Sequence, residues 1–407
     1  TDTKRQPGST FKIVAAYAPA LDSAGITLAT MLNDAPFNYA DGRPVSNHWG
    51  EEYRGLNTMR QGIIDSMNVI TVKLLTIISP QLGFDYVKNF GFTTVVDREE
   101  ITVNGETKIY SDIQQALALG GLTYGVTNEE LNAAYAAIAN NGTYIKPKLY
   151  TKVVDHDGNV ILDNTQPQSR QVIKETTAWL LTDAMCDVVT QGTGGSVNFG
   201  NMAIAGKTGT TSDYNDIWFS GYTPYYTATT WAGYDNNTKL RYGDERNLAK
   251  KLWRAVMSKI HEELPSESFP MPETGIVTAT VCANSGKLPI AGLCDATLRT
   301  EYFAEGTIPT ESCDVHYQGM VCQYSNPSLP AAETCPFKVE GILTLTPAEP
   351  AALQQGSQSA ATLVDPNATA TEPALNPDGT PVATTQSNVC MHTPEFMVQP
   401  GIEALIE

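Results

Sequence analysis

Near its start the chain reads Arg5-Gln6-Pro7-Gly8-Ser9-Thr10-Phe11-Lys12, followed at once by the apolar run Ile13-Val14-Ala15-Ala16-Tyr17-Ala18. Pro7-Gly8 indicates a turn, and the apolar residues after it repeat at helical spacing. This pattern places Ser9 near a helix N-terminus, where free backbone N–H groups and the helix dipole favour developing negative charge. Lys12 then lies one turn later on the same face, within reach of the hydroxyl.

Ser9 and Lys12 form a chemically competent pair. A serine is a poor nucleophile unless a base takes its proton, and a lysine buried among apolar residues can lose its charge and act as that base. The same residues also fit an N-capping serine with a solvated lysine one turn later. The pair alone does not decide between these interpretations.

A second candidate, Ser66-Met67-Asn68, lies inside the long apolar pattern of residues 55–78. On a continuous helix positions i and i+2 face different ways, so both side chains serve one site only if the backbone turns there. The alternative is a polar patch between two helices. Ser196-Val197-Asn198 has the same spacing but lies in a glycine-rich loop without an apolar scaffold, so we favour the first.

A third candidate is Lys207-Thr208-Gly209-Thr210-Thr211, which follows Met202-Ala203-Ile204-Ala205-Gly206. Small and β-branched residues around glycines indicate a strand that another backbone approaches closely. Gly209 leaves room for an extended peptide along the strand edge, and Lys207, Thr208 and Thr210 suit a carboxylate. An ordinary strand with a glycine bulge is the alternative.

The remaining patterns predict mixed helices and strands. Helices are expected over 129–140, 175–189 and 248–264, a hairpin within 93–110 around Val103-Asn104-Gly105, β segments over 143–162, strands over 217–222 and 228–234, and mainly helices and loops over 13–90. We expect a domain over 1–264, a cysteine-rich β-like extension over 265–345, a low-complexity linker over 346–388 and a tail over 389–407. Linker and tail are predicted to be disordered, with a small anchor at Cys390–Ile402.

Composition limits the classes of partner. The 407 residues carry a net charge of −18, which argues against nucleic acid or an anionic membrane surface. No apolar run approaches the length of a membrane span, and no signal peptide is evident. Because the candidate nucleophile stands at residue 9, we interpret the chain as a fragment or a processed protein.

The cysteines are unevenly placed. Cys186 stands alone, whereas the other six fall in the last third: Cys282, Cys294, Cys313, Cys322, Cys335 and Cys390. None forms a Cys-x-x-Cys pair, so we expect no zinc site. Clustering in a loop-rich segment favours disulfides in an oxidising compartment, with the pairing left open.

Taken in order, Ser9-x-x-Lys12, Ser66-x-Asn68 and Lys207-Thr208-Gly209 resemble the three signatures of the penicillin-binding protein and serine β-lactamase superfamily. The flanks are similar to class A, bifunctional penicillin-binding proteins: Arg5–Lys12, the Leu131–Gly142 helix, and Gly206–Thr211 followed by Asn215–Pro224. The resemblance covers residues 1–262 densely. A weaker similarity around Cys282–Cys313 is to C-terminal extensions of such proteins in Gram-positive bacteria.

The resemblance implies a role for each motif residue. Ser9 attacks the carbonyl between the two terminal D-alanines of a cell-wall stem peptide, with Lys12 as general base. Ser66 relays a proton to the leaving amine, tuned by Lys207, and Asn68 holds the donor's amide. Backbone N–H groups of Ser9 and Thr210 form the oxyanion hole, Gly209 leaves room for the peptide, and Thr208 and Thr210 bind the terminal carboxylate.

The resemblance also implies an architecture and a setting. The fold is α+β, β-lactamase/transpeptidase-like, with a five-stranded antiparallel sheet flanked by helices, of which this chain supplies the later strands. Stem peptides and, as covalent inhibitors, β-lactams are the expected ligands, with no cofactor and no metal. A membrane anchor, a glycosyltransferase domain and the first strands precede the nucleophile in such proteins. We therefore expect an extracytoplasmic location, membrane contact only through that anchor, participation in a cell-wall synthesis complex, and poor folding of this chain alone.

Three alternative functions follow from the same motifs. A class A β-lactamase needs a deacylating glutamate in a Glu-x-x-Leu-Asn context, but Asn128 stands at that position before Leu131-Asn132. A D-alanyl-D-alanine carboxypeptidase replaces the acceptor amine by water. A non-catalytic β-lactam sensor keeps Ser9 and Lys12 but turns over no peptide.

Overall fold

The structure, a computed structural model, describes residues 2–50, 52–103, 106–324, 329–345, 350, 352–353 and 390. These residues form two compact units. The larger takes in the described residues up to Ala279 with Thr300–Ile308, 350 and 352–353, and the smaller takes in Thr280–Arg299, the described part of 309–345, and Cys390. The linker and almost all of the tail lie outside the described residues, so their predicted disorder and the four domain bounds stay predictions.

The elements follow one another as a mixture of helices and antiparallel strand pairs, as predicted. The helices are α1 (Ala18–Ser23), α2 (Met59–Ile64), α3 (Asn68–Ile78), α4 (Pro80–Asn89), α5 (Asn128–Ala139), α6 (Glu175–Thr190) and α7 (Leu248–Ile260). The strands are β1 (Met31–Asp34), β2 (Gly55–Thr58), β3 (Glu99–Val103), β4 (Glu106–Tyr110), β5 (Thr143–Ile145), β6 (Lys152–Val154), β7 (Val160–Asp163), β8 (Ser169–Gln171), β9 (Ala205–Thr210), β10 (Asp216–Tyr222), β11 (Thr227–Gly233), β12 (Ile276–Cys282), β13 (Leu298–Ala304), β14 (His316–Cys322) and β15 (Lys338–Thr344).

A three-stranded antiparallel sheet in the order β11-β10-β9 organises the larger unit. The central strand β10 is buried along its whole length because helices cover both faces. Its alternate residues pack to opposite sides: Ile217 and Phe219 join the core around Trp253 of α7, and Trp218 and Tyr222 join the main core with α5 and α6. β9 pairs with β10 along one edge, and among the described strands it has no partner along the other.

The segment after the proposed nucleophile is deeply buried. Ser9 lies in a 3₁₀ turn (Gly8–Thr10), and Ile13–Tyr17 forms a short π-helix whose residues are all fully buried in the main core. Because cores of this kind are packed as densely as crystals, the turn that carries Ser9 stands on a rigid base.

The sequence pattern of residues 13–90 predicted the helices but not a pair of short strands. Met31–Asp34 and Gly55–Thr58 pair as β1 and β2, although this part was expected to hold mainly helices and loops. The predicted hairpin within 93–110 is confirmed by the pairing of β3 with β4; its turn, 104–105, lies outside the described residues. The last helix of the larger unit ends at Ile260, four residues before the predicted end.

In the smaller unit β14 pairs antiparallel with β15. The six late cysteines are buried here and none of them is joined in a disulfide, so the expectation of disulfides is wrong. They gather in two groups, Cys282 with Cys294 and Cys313, and Cys322 with Cys335 and Cys390. Cys186 is also a free thiol, on α6 of the larger unit.

Candidate active site

A cleft of about 850 Å³ brings the three sequence motifs together. Its walls include Ser9, Ser66, Asn68 and the strand residues Thr208, Gly209 and Thr210. The two lysines of the motifs, Lys12 and Lys207, are fully buried behind these residues. All of the site residues predicted from the sequence therefore lie in or directly beneath one concave surface.

Close backbone contact sets the position of Ser9 against β9. A Cβ atom on Gly209 would lie 2.5 Å from the carbonyl oxygen of Pro7, and one on Gly8, where φ is +54°, would lie 2.6 Å from the oxygen of Thr210. Trp218 of β10 donates its indole N–H to the oxygen of Gln6 at 2.9 Å, which ties the same segment to the sheet. These glycines are needed because a side chain at either position would separate the turn from the strand.

Lys12 is held by three oxygen contacts. Its Nζ donates to the backbone oxygen of Ser66 at 2.6 Å and to Oδ1 of Asn68 at 2.7 Å, and it lies 3.3 Å from the hydroxyl of Ser66. Burial, and next the positive charge of Lys207, hold the pKa of Lys12 well below the usual value for lysine. The solvated lysine of the simpler interpretation is thus not what the structure contains.

The backbone turns at Ser66, as the use of both polar side chains requires. α2 ends at Ile64 and α3 begins at Asn68, and between them Ser66 has a φ of +55°. The competing segment is separate: Ser196 and Asn198 are exposed, and neither lines the cleft.

On β9, the side-chain amine of Lys207 is fully buried. Its Nζ contacts the oxygen of Thr208 at 3.3 Å, and burial lowers its pKa to about 7. The hydroxyl of Thr208 lies 2.8 Å from that of Thr193, in the loop after α6. The cleft therefore combines a titratable cation with a pair of hydroxyl groups.

Sequence reasoning missed three residues that shape this site. Asn47 accepts the backbone N–H of Asn68 at 2.8 Å and so caps α3 from a distant loop, Thr193 orients Thr208, and His48 lines the cleft. Burial, followed by the charges of Lys12 and Lys207, lowers the pKa of His48. No local pattern marks these residues, because each acts through a contact with a residue remote in sequence.

No group of metal-ligating side chains lies in the cleft among the described residues. No helix in the described part of the chain is long and apolar enough to cross a bilayer.

Comparison with known proteins gives the same assignment as the geometry. Residues 1–258 match the penicillin-binding protein transpeptidase domain, and residues 272–318 match the C-terminal domain of penicillin-binding protein 1A. Penicillin-binding protein 1A of Clostridium botulinum (strain Langeland) is 35% identical over 329 residues, which cover 78% of this chain and 38% of the relative. The chain thus spans little more than a third of that relative.

Two solved structures are similar. Penicillin-binding protein 1A from Haemophilus influenzae superposes with a TM-score of 0.64 at 24% identity, over 77% of this chain and 50% of that one, and supports the fold alone. The PonA1 protein from Mycobacterium tuberculosis, solved in complex with penicillin V, gives 0.57 at 26% identity, over 67% and 73%.

The fold and the cleft define a penicillin-binding transpeptidase domain, and this chain belongs to the penicillin-binding protein transpeptidase family. The resemblance read from its motifs and the predicted β-lactamase/transpeptidase-like α+β fold are both confirmed.

Proposed function

We propose that the chain is a serine-type D-alanyl-D-alanine transpeptidase that cross-links peptidoglycan stem peptides through an acyl-enzyme on Ser9. The observation that carries the proposal is the environment of Lys12. A neutral lysine amine has two N–H donors and one lone pair. The oxygens of Ser66 and Asn68 accept both N–H groups, at 2.6 and 2.7 Å, which leaves the lone pair to accept the proton of a hydroxyl.

In acylation, Lys12 takes the proton of Ser9 as Oγ attacks the carbonyl carbon of the penultimate D-alanine. The bond between that carbon and the nitrogen of the terminal D-alanine then breaks, and the leaving amine gains a proton. Ser66, whose hydroxyl is 3.3 Å from Lys12, passes the proton from the lysine to the leaving amine. Asn68 holds the amide of the donor peptide.

The negative charge on the substrate oxygen needs fixed donors. The backbone N–H groups of Ser9 and Thr210 supply them in this proposal, supported by the contact between Gly8 and Thr210 that brings the two backbones together. Preorganised donors of this kind contribute about 3–4 kcal/mol each to transition-state stabilisation.

The strand β9 binds the peptide. The outer edge of β9, which has no strand partner among the described strands, accepts the extended substrate as an added strand. The space beside Gly209, expected from the sequence to admit the peptide, is taken by Pro7 and Thr10 of the Ser9 turn. The hydroxyls of Thr208 and Thr210 and the ammonium of Lys207 hold the terminal carboxylate, because a charged acceptor forms its strongest hydrogen bonds with such donors. An amine of a second stem peptide then attacks the acyl-enzyme, releases Ser9 and completes the cross-link.

The alternatives use the same site. In a D-alanyl-D-alanine carboxypeptidase water replaces the acceptor amine, and in a β-lactam sensor the acyl-enzyme forms only with the drug. All three proposals include covalent inhibition of Ser9 by β-lactams.

One incubation separates these possibilities. The chain is mixed with a stem pentapeptide ending in D-alanyl-D-alanine and an acceptor peptide with a free amine, and the products are followed by mass spectrometry. Cross-linked dimer together with released D-alanine supports the transpeptidase. D-alanine without dimer indicates the carboxypeptidase, and neither product, in a chain that benzylpenicillin still acylates, indicates the sensor.

Membership of the family supports a proposal for the cellular setting. We propose that the protein acts at the extracytoplasmic face of the bacterial membrane, within a cell-wall synthesis complex, and that the full protein also carries a glycosyltransferase and an anchor. No interaction with nucleic acid is proposed, in keeping with the net charge of −18.

A further inference from the structure

Four buried side chains converge in the smaller unit: Cys282 at the end of β12, Cys294 and Cys313 in the loops that follow β12 and β13, and His316 at the start of β14. Their three sulfurs and the histidine nitrogen all lie within 4.8 Å of one another. None of these groups takes part in the proposed reaction.

The spacing of the four atoms is that of ligands around one ion. Nδ1 of His316 lies 3.4 Å from the sulfur of Cys282, 3.4 Å from that of Cys294 and 3.6 Å from that of Cys313. Zinc bonds of about 2.3 Å to sulfur and 2.0–2.1 Å to nitrogen, at tetrahedral angles, place sulfur and nitrogen about 3.5 Å apart. A disulfide, in contrast, would bring two sulfurs to about 2.05 Å, and all three cysteines are free.

We propose that Cys282, Cys294, Cys313 and His316 bind a Zn²⁺ ion that stabilises the smaller unit. Three thiolates and an imidazole are soft and borderline ligands that favour zinc over magnesium or calcium. Four protein ligands fill a tetrahedral shell and leave no open position, which is the mark of a structural rather than a catalytic zinc site.

The surroundings match those of a bound metal. The backbone N–H of Ile290 donates to the sulfur of Cys294 at 3.3 Å, which stabilises a thiolate. The side-chain amide of Asn284 lies with its nitrogen, Nδ2, 3.1 Å from Nε2 of His316, and the nitrogen and oxygen of such an amide exchange places when it rotates by 180°. With its oxygen turned to the ring, it accepts the Nε2–H that a histidine bound through Nδ1 must carry.

The smaller unit also lacks an apolar alternative at this position. The buried cluster around the site consists of the three cysteines and Val315, with Ile290 and Leu293 only partly buried against it. Small units with so few apolar side chains need a disulfide or a metal to be stable, and metal binding then contributes directly to folding.

This inference replaces the expectation of no zinc site, which rested on the absence of Cys-x-x-Cys pairs. The sequence does contain a short-range signal of the same kind, Cys313-Asp314-Val315-His316, in which histidine takes the second position.

The test is zinc content per chain after purification with and without added zinc, measured on the wild type and three variants. His316→Ala should bind one zinc equivalent fewer than the wild type. His316→Cys should keep the full content because it offers four thiolates, and Cys186→Ser, which changes a free cysteine of the larger unit, should also keep it. Zinc bound by Cys322, Cys335 and Cys390 would be present in both proteins, so it does not affect the difference in zinc content between the wild type and His316→Ala.

Equal zinc content in the wild type and His316→Ala, or loss of zinc in His316→Cys, would overturn the proposal. So would an intact mass lower by the two hydrogens of a disulfide within Cys282, Cys294 and Cys313. X-ray absorption on a zinc-loaded Cys322→Ser/Cys335→Ser variant should give three sulfurs at about 2.3 Å and one nitrogen at about 2.0–2.1 Å; any other ligand set contradicts the assignment.

Discussion

Lys207 shows how a single buried amine links the site to stability. The unfolded chain titrates this lysine near 10.4, whereas burial in the folded protein lowers its pKa to about 7. Between these values the unfolded state binds more protons, so the free energy of unfolding rises with pH, by at most about 1.4 kcal/mol per pH unit for this group. Below about pH 7 both states hold the proton and the contribution is constant.

Replacing Lys207 by Met removes this titration while it keeps a side chain of similar length. We expect Lys207→Met to have its largest stability advantage over the wild type near pH 6–7 and to lose that advantage as the pH rises to 9. Urea unfolding at several pH values measures the difference. Lys146→Met, at an exposed position, is the control; a difference for Lys207→Met that does not change with pH contradicts the assignment.

Ser66 and Ser196 offer a direct comparison of two serines with the same local pattern. Ser66→Ala removes the hydroxyl beside Lys12 and should slow acylation by benzylpenicillin by roughly 10²–10⁴-fold, the usual contribution of a positioned proton-transfer group. Ser196→Ala should leave the rate unchanged. Stopped-flow acylation rates test this, and equal rates in the two variants would exclude Ser66 from proton transfer.

At the scale of elements, the contact between the Ser9 turn and β9 is the critical one. Gly209→Ala places a Cβ 2.5 Å from the backbone oxygen of Pro7 and 2.8 Å from Cγ2 of Thr10. Because the oxygen of Pro7 belongs to the backbone, this clash is relieved only if the whole turn moves. We expect an acylation rate at least tenfold lower and about 1–3 kcal/mol less stability.

Gly195→Ala is the matched control, since the nearest atom to its added Cβ is 3.7 Å away. Acylation rates and thermal unfolding of both variants test whether Gly209→Ala alone lowers the rate and the stability. A Gly209→Ala protein with the wild-type rate would show that the turn and the strand are not held together as described.

The helices and strands themselves were predictable to different degrees. α5 has a capping box between Thr127 and Glu130, and α6 has a continuous apolar pattern, so both were predicted within about one residue. The β1–β2 pair was not predicted, because its strands of four residues are separated by a long loop and lack a clear alternation. Pairing between such strands depends on tertiary contacts rather than on local preference.

On the scale of the whole molecule, a buried ion cluster connects remote parts of the larger unit. Arg60 of α2 pairs with Asp183 and Asp187 of α6 and with Glu301 of β13, each at 2.6 Å. Arg60 and Glu301 are both buried. Because Arg60 is buried and its charge would lose a buried partner, the cluster is sensitive to the removal of Glu301.

We expect Glu301→Ala to lower the free energy of unfolding by about 2–4 kcal/mol, since Arg60 would keep only its two partly exposed partners. Glu262→Ala, which breaks the exposed pair of Lys259 and Glu262, should leave stability unchanged. Urea unfolding of both variants tests the prediction. Equal stabilities would show that the cluster contributes little.

The sequence alone was sufficient to propose the motif residues that line the cleft, but not the remote residues that hold them in place. Ser9, Ser66 and Lys207 could be proposed as site residues because each lies in a short motif whose chemistry and order are specific. Asn47 and the partners of Arg60 could not be found, because they meet only in the folded chain. The cysteines show the limit most clearly: their spacing was interpreted as disulfides, whereas folding brings three of them around one histidine.

The central claim is that Ser9 is the nucleophile, activated by Lys12. Its most direct test is the intact mass of the chain after incubation with benzylpenicillin, followed by peptide mapping, with Ser9→Ala in parallel and Ser196→Ala as control. We predict one stable adduct on the peptide that contains Ser9, present in the control and absent from Ser9→Ala. An adduct of equal yield in Ser9→Ala, or one mapped to another residue, would contradict the account.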